Sequence, residues 1–302
     1  MNTNFDFAKN FKKANFLSLV LFFLSIILIA FKGLNYGIDF KGGTLMEIRI
    51  ADNNISTSNI RSSLNNMNLG DVNVKKFGDN SDFLIKIEEK TSNNKNLIPE
   101  IKKELIKKLG TDINFRRVEN VGPKVSSELL ESSLIAITLS LAAMLFYIWI
   151  RFEWQFSIGS IIALFHDVVI TVGIFSLLSF EINLSIIAAV LTIVGYSMND
   201  TVVIYDRIRE NLNKYNKISI SQISNISINE TLSRTVITSI TTLLALVSIF
   251  ILGGEILKGF SFAMILGVLI GTYSSIFVAS PILKYFKVTY KTLEKKEEKI
   301  VP

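Results

Sequence analysis

Asp167 and Asp200 each interrupt a long apolar run, Phe156 to Phe180 and Ile182 to Tyr205. A central Asp in a membrane-crossing helix costs roughly 2.5 to 3.5 kcal/mol on insertion scales, so each carboxylate is a candidate functional group. A carboxyl in low dielectric favours its neutral form, and a nearby guanidinium favours the charged form. Its protonation then follows the approach of the partner, which is what a proton relay requires. Arg234, at the entrance of a later apolar run, is the partner the sequence offers.

Blander roles stand beside each of these. Asp200 lies six residues before Asp206-Arg207, about 9 Å along a helix, where a satisfied packing group would also fit. Asp167, deeper and beside His166, suits an interhelical hydrogen bond equally well. Arg234 follows Glu230 by four residues, in the order that favours a surface ion pair. Thr231, Thr235, Thr238 and Thr242 then share one helix face. Their hydroxyls either bond back to their own helix or line a water path. Gly267, Gly271 and Ser275 recur every four residues, the small-residue pattern that lets helices pack closely.

Several chemistries are excluded. With no cysteine there is no disulfide framework, thiol nucleophile or thiolate metal site. One histidine leaves no multi-His metal cluster, and neither GxxxxGK[ST] nor GxGxxG occurs, so both common phosphate cradles are missing. No metal site is expected.

The elements that must hold these residues are membrane spans. Phe16 to Phe31, Ser132 to Ile150, Phe156 to Phe180, Ile182 to Tyr205, Thr235 to Gly254 and Gly259 to Leu283 are six blocks almost free of charge, each near the roughly 17 to 25 residues that cross a bilayer. They account for a mean hydropathy of +0.42 in a chain of 302 residues. The first block lacks an A-x-A-like cleavage site and reads as an uncleaved span rather than a signal peptide. Lys and Arg concentrate before span 1, between spans 4 and 5 (Arg207, Arg209, Lys214, Lys217, Arg234) and after span 6. The 5/6 connection has only Lys258 and the 3/4 connection none. The positive-inside rule therefore predicts both termini in the cytoplasm, and the net charge of +6 reflects topology rather than nucleic-acid binding.

The predicted organisation is a cytoplasmic tail at 1–13, span 1 at 14–32, an external domain at 33–131, spans 2 to 6 at 132–284 with a cytoplasmic loop at 206–234, and a cytoplasmic tail at 285–302. In the external domain Thr44 to Ile50 alternates as a strand. Ser56 to Leu69 reads as a helix, Asp71 to Phe77 and Asp82 to Glu88 as strands around a turn at 78–81. Leu97 to Leu109 reads as a helix stopped by Gly110, and Ile113 to Val118 as a last strand. The order βαββαβ predicts a small α+β ferredoxin-like fold, with balanced charge and no nucleic-acid face. The fold class is thus a polytopic α-helical membrane protein with six transmembrane helices and this external domain between the first two.

Gly37-Ile-Asp-Phe-Lys-Gly-Gly-Thr44, Val121-Gly-Pro-Lys-Val125, Arg151-Phe-Glu-Trp154 with His166-Asp167, the run Gly195 to Asn211, Arg234 to Ser239 and Gly271 to Ser275 follow in order around the six spans. In these segments the chain resembles the SecF family of bacterial export subunits, within the resistance-nodulation-division (RND) superfamily. The resemblance implies a non-enzymatic factor that uses the proton motive force to promote protein export after SecYEG- and SecA-driven passage. It implies Asp200 and Arg234 in the proton pathway, with Asp167, His166, Asn199 and Thr238 as further candidates, and Gly37, Asp39, Gly42 and Gly43 as the family's external motif. No cofactor is implied beyond a coupling ion, proton or sodium. Six spans form one half of an RND-type core, so SecD is the implied partner, with SecYEG, YajC, YidC, the unfolded polypeptide in transit and membrane lipid around it, in the bacterial cytoplasmic (inner) membrane. Competing readings are half of an RND-type small-molecule or lipid exporter and a structural subunit that only stabilises SecD. An intramembrane aspartyl protease built on Asp167 and Asp200 is disfavoured, because Phe165-His-Asp167 and Met198-Asn-Asp200 do not resemble the YD and GxGD signatures.

Overall fold

Apolar length sets the architecture of the computed structural model, which describes residues 5–50, 52, 55–65, 67, 69–76, 81–88, 97–215 and 217–297. In chain order its elements are α1 (Phe11–Lys32), β1 (Asn35–Tyr36), α2 (Ile38–Lys41), β2 (Gly43–Ile50), α3 (Thr57–Asn65), β3 (Val72–Lys76), β4 (Asp82–Ile87), α4 (Leu97–Leu109), β5 (Ile113–Val121) and α5 (Pro123–Arg151). There follow α6 (Trp154–Leu178), β6 (Glu181–Ile182), α7 (Leu184–Lys214), α8 (Ile220–Leu252), α9 (Gly254–Ser274), α10 (Ser280–Tyr285) and α11 (Tyr290–Glu297). They form two compact units, one of residues 36–135 with 181–184 and one of the remainder.

Among the described residues six helices are long and apolar enough to cross a membrane: Ala8–Lys32, Pro123–Arg151, Trp154–Leu178, Leu184–Lys214, Ile220–Leu252 and Ile256–Tyr285. The shortest have 25 residues and reach about 37 Å, against a hydrocarbon core of about 30 Å. The chain is a polytopic helical membrane protein. About half of each apolar window of α6, α7 and the last span is buried, against less than a fifth for the others. Those three helices therefore make the core.

Small residues allow their close approach. A Cβ on Gly267 would lie 2.2 Å from Ile193 Cγ1, and one on Gly271 3.0 Å from Ser197 Cβ, so α9 packs on α7 through the glycine positions. Ser275 is also buried, and its hydroxyl donates to the Thr272 carbonyl at 2.9 Å. It opens a π-helical turn, Ser275–Ala279, whose Ala279 carbonyl accepts the buried Tyr205 hydroxyl at 2.8 Å. Phe152 and Phe156 pack against Tyr205 at ring distances of 6.2 and 5.1 Å, and Gly159 leaves room for its hydroxyl, 2.3 Å from where a Cβ would sit.

The expected cytoplasmic loop at 206–234 is corrected. α7 continues to Lys214 and α8 begins at Ile220, so only a short connection separates two helical extensions. Asn211 Nδ2 donates to Ser227 Oγ at 2.9 Å and Arg207 Nε to Glu230 Oε2 at 2.8 Å, which ties the extensions together. Ser219 and Gln222 form a reciprocal capping box that starts α8. Helix boundaries differ elsewhere as well: α1 starts at Phe11, and α5 starts at Pro123 rather than 132, with proline at its first position, where the missing N–H has no helical partner to lose. The tail expected at 285–302 contains α11, and its last residues lie outside those described.

In the second unit β3, β4, β2 and β5 lie side by side in that order, every neighbouring pair antiparallel. α3 connects β2 to β3 and α4 connects β4 to β5. Alternation along β2 buries Met46, Ile48 and Ile50 with Phe83, Ile85 and Ile87 of β4, and Ile60, Leu64, Ile101 and Leu105 of the two helices join this core. Helix 56–69 is shorter than expected, at Thr57–Asn65, and β5 extends past Val118 to Val121; most of the turn at 78–81 lies outside the described residues. The β2/β5 register shifts between Glu47 and Ile48. Near this bulge Arg116 Nη1 comes within 3.4 Å of Asp82, which Arg49 also holds by two bonds of 2.6 and 2.7 Å.

Candidate functional site

Asp200 is 3% exposed on α7. Its one side-chain hydrogen bond among the described residues is long: Thr272 Oγ1 of α9 donates to Oδ2 at 3.4 Å. Thr272 in turn meets Ser239 of α8 at 2.8 Å, so a chain of hydroxyls runs from α8 through α9 to the carboxylate. Arg234 of α8 forms no ion pair with Asp200 among the described residues.

The surface pair expected between Glu230 and Arg234 is absent. Glu230 instead accepts from Arg207 Nε at 2.8 Å and from Asn211 Nδ2 at 2.6 Å, both on α7. Two long-range partners, each giving one donor, have displaced the local one. Arg234 is exposed, and no carboxylate among the described residues pairs with it directly.

The threonine face divides. Thr231 donates to the Ser227 carbonyl at 2.9 Å, and Thr238 to the carbonyls of Thr235 and Arg234 at 2.9 and 3.1 Å, so these two bond back to their own helix. Thr235 is buried and its hydroxyl has no partner among the described residues, while Thr242 is half-buried. Asn199 is exposed although its neighbour Asp200 is buried. Successive helical residues point about 100° apart, so the two do not share a face. The structure therefore does not bring Asn199 to the carboxylate.

Asp167 has a different environment. It is 0% exposed on α6, and its Oδ1 meets His166 Nδ1 at 2.8 Å. Oδ2 accepts the Ser274 hydroxyl of α9 at 2.7 Å and, by a short bond, the Ser197 hydroxyl of α7. His166 Nε2 is buried without a partner among the described residues. Residue type does not single out Ser197 and Ser274, since serine is common in apolar helices. Both nevertheless lie inside the motif segments Gly195 to Asn211 and Gly271 to Ser275. No hydrogen bond joins Asp167 to Asp200 among the described residues, so the shared proton an aspartyl dyad requires has no geometric basis.

The external motif makes a turn. Gly37 N–H donates to the Ile182 carbonyl at 2.9 Å, and α2 follows as a single helical turn. Gly42 and Gly43 have φ of 78° and 129°, in the region that favours glycine. A Cβ on Gly43 would lie 2.3 Å from the Ile87 carbonyl oxygen. Asp39 Oδ2 accepts the N–H of Leu184, the first residue of α7, at 2.9 Å. No group of three or more His, Cys, Asp and Glu side chains suited to a metal occurs among the described residues.

Residues 101–289 match the family described as "Protein export membrane protein SecD/SecF, C-terminal", and residues 27–51 match the "SecD/SecF GG Motif". The chain is 46% identical over 286 residues to the protein translocase subunit SecF of Rickettsia bellii, covering 94% of this chain and 93% of that one. It is 45% identical to the Rickettsia rickettsii SecF over 298 residues, 97% of this chain and 96% of that one. Among solved structures, a crystal structure of SecDF from Thermus, a translocon-associated membrane protein, superposes with a TM-score of 0.84 at 36% identity over 95% of this chain. This chain spans 39% of that one.

Proposed function

The chain belongs to the SecF family of protein translocase subunits, and from that premise we propose that it promotes protein export by passing protons through Asp200. The observation that carries this is the contrast at Asp200: a buried carboxylate with a single long hydroxyl contact, while Arg234 on α8 is held by no carboxylate among the described residues. Such a group has room to gain and lose a proton. Protonation from the outer side weakens its attraction to Arg234, α7 and α8 shift, and release to the cytoplasm resets them. One charge crossing about 100 mV supplies roughly 2.3 kcal/mol, so a few protons suffice for a domain rearrangement. The external domain follows this cycle and changes its hold on the emerging polypeptide.

Six spans supply half of an RND-type core, and SecD supplies the other half. SecYEG, YajC and YidC are the neighbouring components, in the cytoplasmic (inner) membrane with both termini cytoplasmic, as the distribution of Lys and Arg supports. The order β3-β4-β2-β5 with both crossing helices supports a ferredoxin-like reading of the external unit. The test is export by the copurified complex in vesicles under an imposed pH gradient or an imposed sodium gradient. A response to the pH gradient alone is expected. A response to sodium alone overturns the proton assignment.

A further inference from the structure

Asp167 and Asp200 are both buried carboxylates on core helices, yet their surroundings suit opposite tasks. Asp200 keeps one contact, at 3.4 Å, near the outer limit of a hydrogen bond. Asp167 has both oxygens occupied, by His166 on one side and by Ser197 and Ser274 on the other. A group that exchanges protons needs a free lone pair and a route. A group that holds helices needs every bond it has.

The positions of the two serines matter. Ser197 is three residues before Asp200 on α7, and Ser274 is two residues after Thr272 on α9. Asp167 Oδ2 thus joins the helix that carries Asp200 to the helix that carries its hydroxyl partner, within one turn of the contact. The two helices already touch here, since a Cβ on Gly271 would lie 3.2 Å from Ser197 Cα. Apolar contact of this kind opposes separation but not sliding. A 3.4 Å bond is made or lost by a slide of a fraction of an ångström, and the serine–carboxylate–serine bridge is what resists that slide.

We infer that Asp167 is a positioning residue: through Ser197 and Ser274 it fixes α7 against α9 so that Thr272 meets Asp200. The inference rests on Asp200 as the proton-bearing group. The charged and titratable groups involved are Arg234 on α8, which packs on α9, and His166, whose Nδ1 meets Asp167.

The test uses the full chain in complex with its partner in proteoliposomes. Carbodiimide labelling of Asp200, followed by peptide mass spectrometry across pH, reads the carboxyl directly. Proton-dependent export is measured in parallel. Ser197→Ala and Ser274→Ala are each expected to move the pH of half-maximal labelling by at least about half a unit and to lower proton-dependent export about three- to tenfold, from the loss of one hydrogen bond. The double variant is expected to do little more than either single one, because both serines act through one oxygen. Asp167→Asn keeps an oxygen that accepts both hydroxyls and is expected to retain most export. Unchanged labelling midpoints in both serine variants overturn the inference, and so does loss of export in Asp167→Asn with intact export in the serine variants, which would make Asp167 the carrier. If Asp200→Asn still exports in a proton-dependent way, the function proposed above fails; the labelling midpoint still reads the positioning bridge by itself.

Discussion

Replacing Gly267 with alanine puts a methyl group where Ile193 already stands. The new Cβ would lie 2.2 Å from Ile193 Cγ1, 2.5 Å from Cδ1 and 2.8 Å from Cγ2. Carbon atoms rest at about 3.5 to 4.0 Å, so roughly 1.3 Å must be found by parting α7 from α9 or by forcing Ile193 off its rotamer. Overpacking of this kind costs about 1 to 3 kcal/mol, which lowers the melting temperature of a chain this size by a few degrees per kcal/mol. Ile193→Ala removes all three offending atoms and costs about 2 to 5 kcal/mol alone through the cavity it leaves. Combined, the two changes should partly cancel, with a coupling of at least about 1 kcal/mol. Thermal unfolding of the four proteins, followed by tryptophan fluorescence in detergent, measures that coupling. Strict additivity would refute the α7–α9 contact and, with it, the reason for glycine at this position.

The remaining expectations concern charges. The Arg49 hydrogen bonds hold the Asp82 carboxyl below the usual carboxylate range, with Arg116 adding to the effect and burial opposing it. A depressed value means that this stabilisation is present above the unfolded value of about 3.9 and is lost as pH falls through the lower folded value. Hydrogen exchange in β2 and β4, corrected for intrinsic rate, should therefore rise in acid, and Asp82→Asn should raise it already at neutral pH, by about 1 to 3 kcal/mol of lost protection. Glu230→Gln loosens the tie to Arg207 and Asn211 and should cost about 0.5 to 1 kcal/mol of stability while leaving proton-dependent export intact. Arg234→Met, at an exposed position, should leave the melting temperature almost unchanged and abolish proton dependence; equal, mild effects of the two substitutions on export would return Arg234 to an ordinary surface role.

Much of this architecture is readable in the sequence, for physical reasons that also explain what is not. An apolar run of twenty residues has almost no alternative to a membrane span, so the six spans are plain. The alternation in Thr-Leu-Met-Glu-Ile-Arg-Ile equally announces β2. The extensions of α7 and α8 are harder, because their polarity resembles a loop. Their helical signal lies in spaced apolar positions, Ile204, Ile208 and Leu212 on one and Ile223 and Ile228 on the other, all buried. Glu230 shows the limit of local rules: a favourable spacing to Arg234 yields to Arg207 from another helix. The serines on Asp167 show another limit. Which hydroxyl reaches a buried carboxylate depends on how three helices meet, and no spacing within one helix encodes that.

Whether Asp200 carries the coupling proton is read from export by the reconstituted complex with Asp200→Asn, with and without an imposed pH gradient. Gradient-independent export is expected to remain and the gradient-driven increment to vanish. An undiminished increment would mean that another group carries the proton.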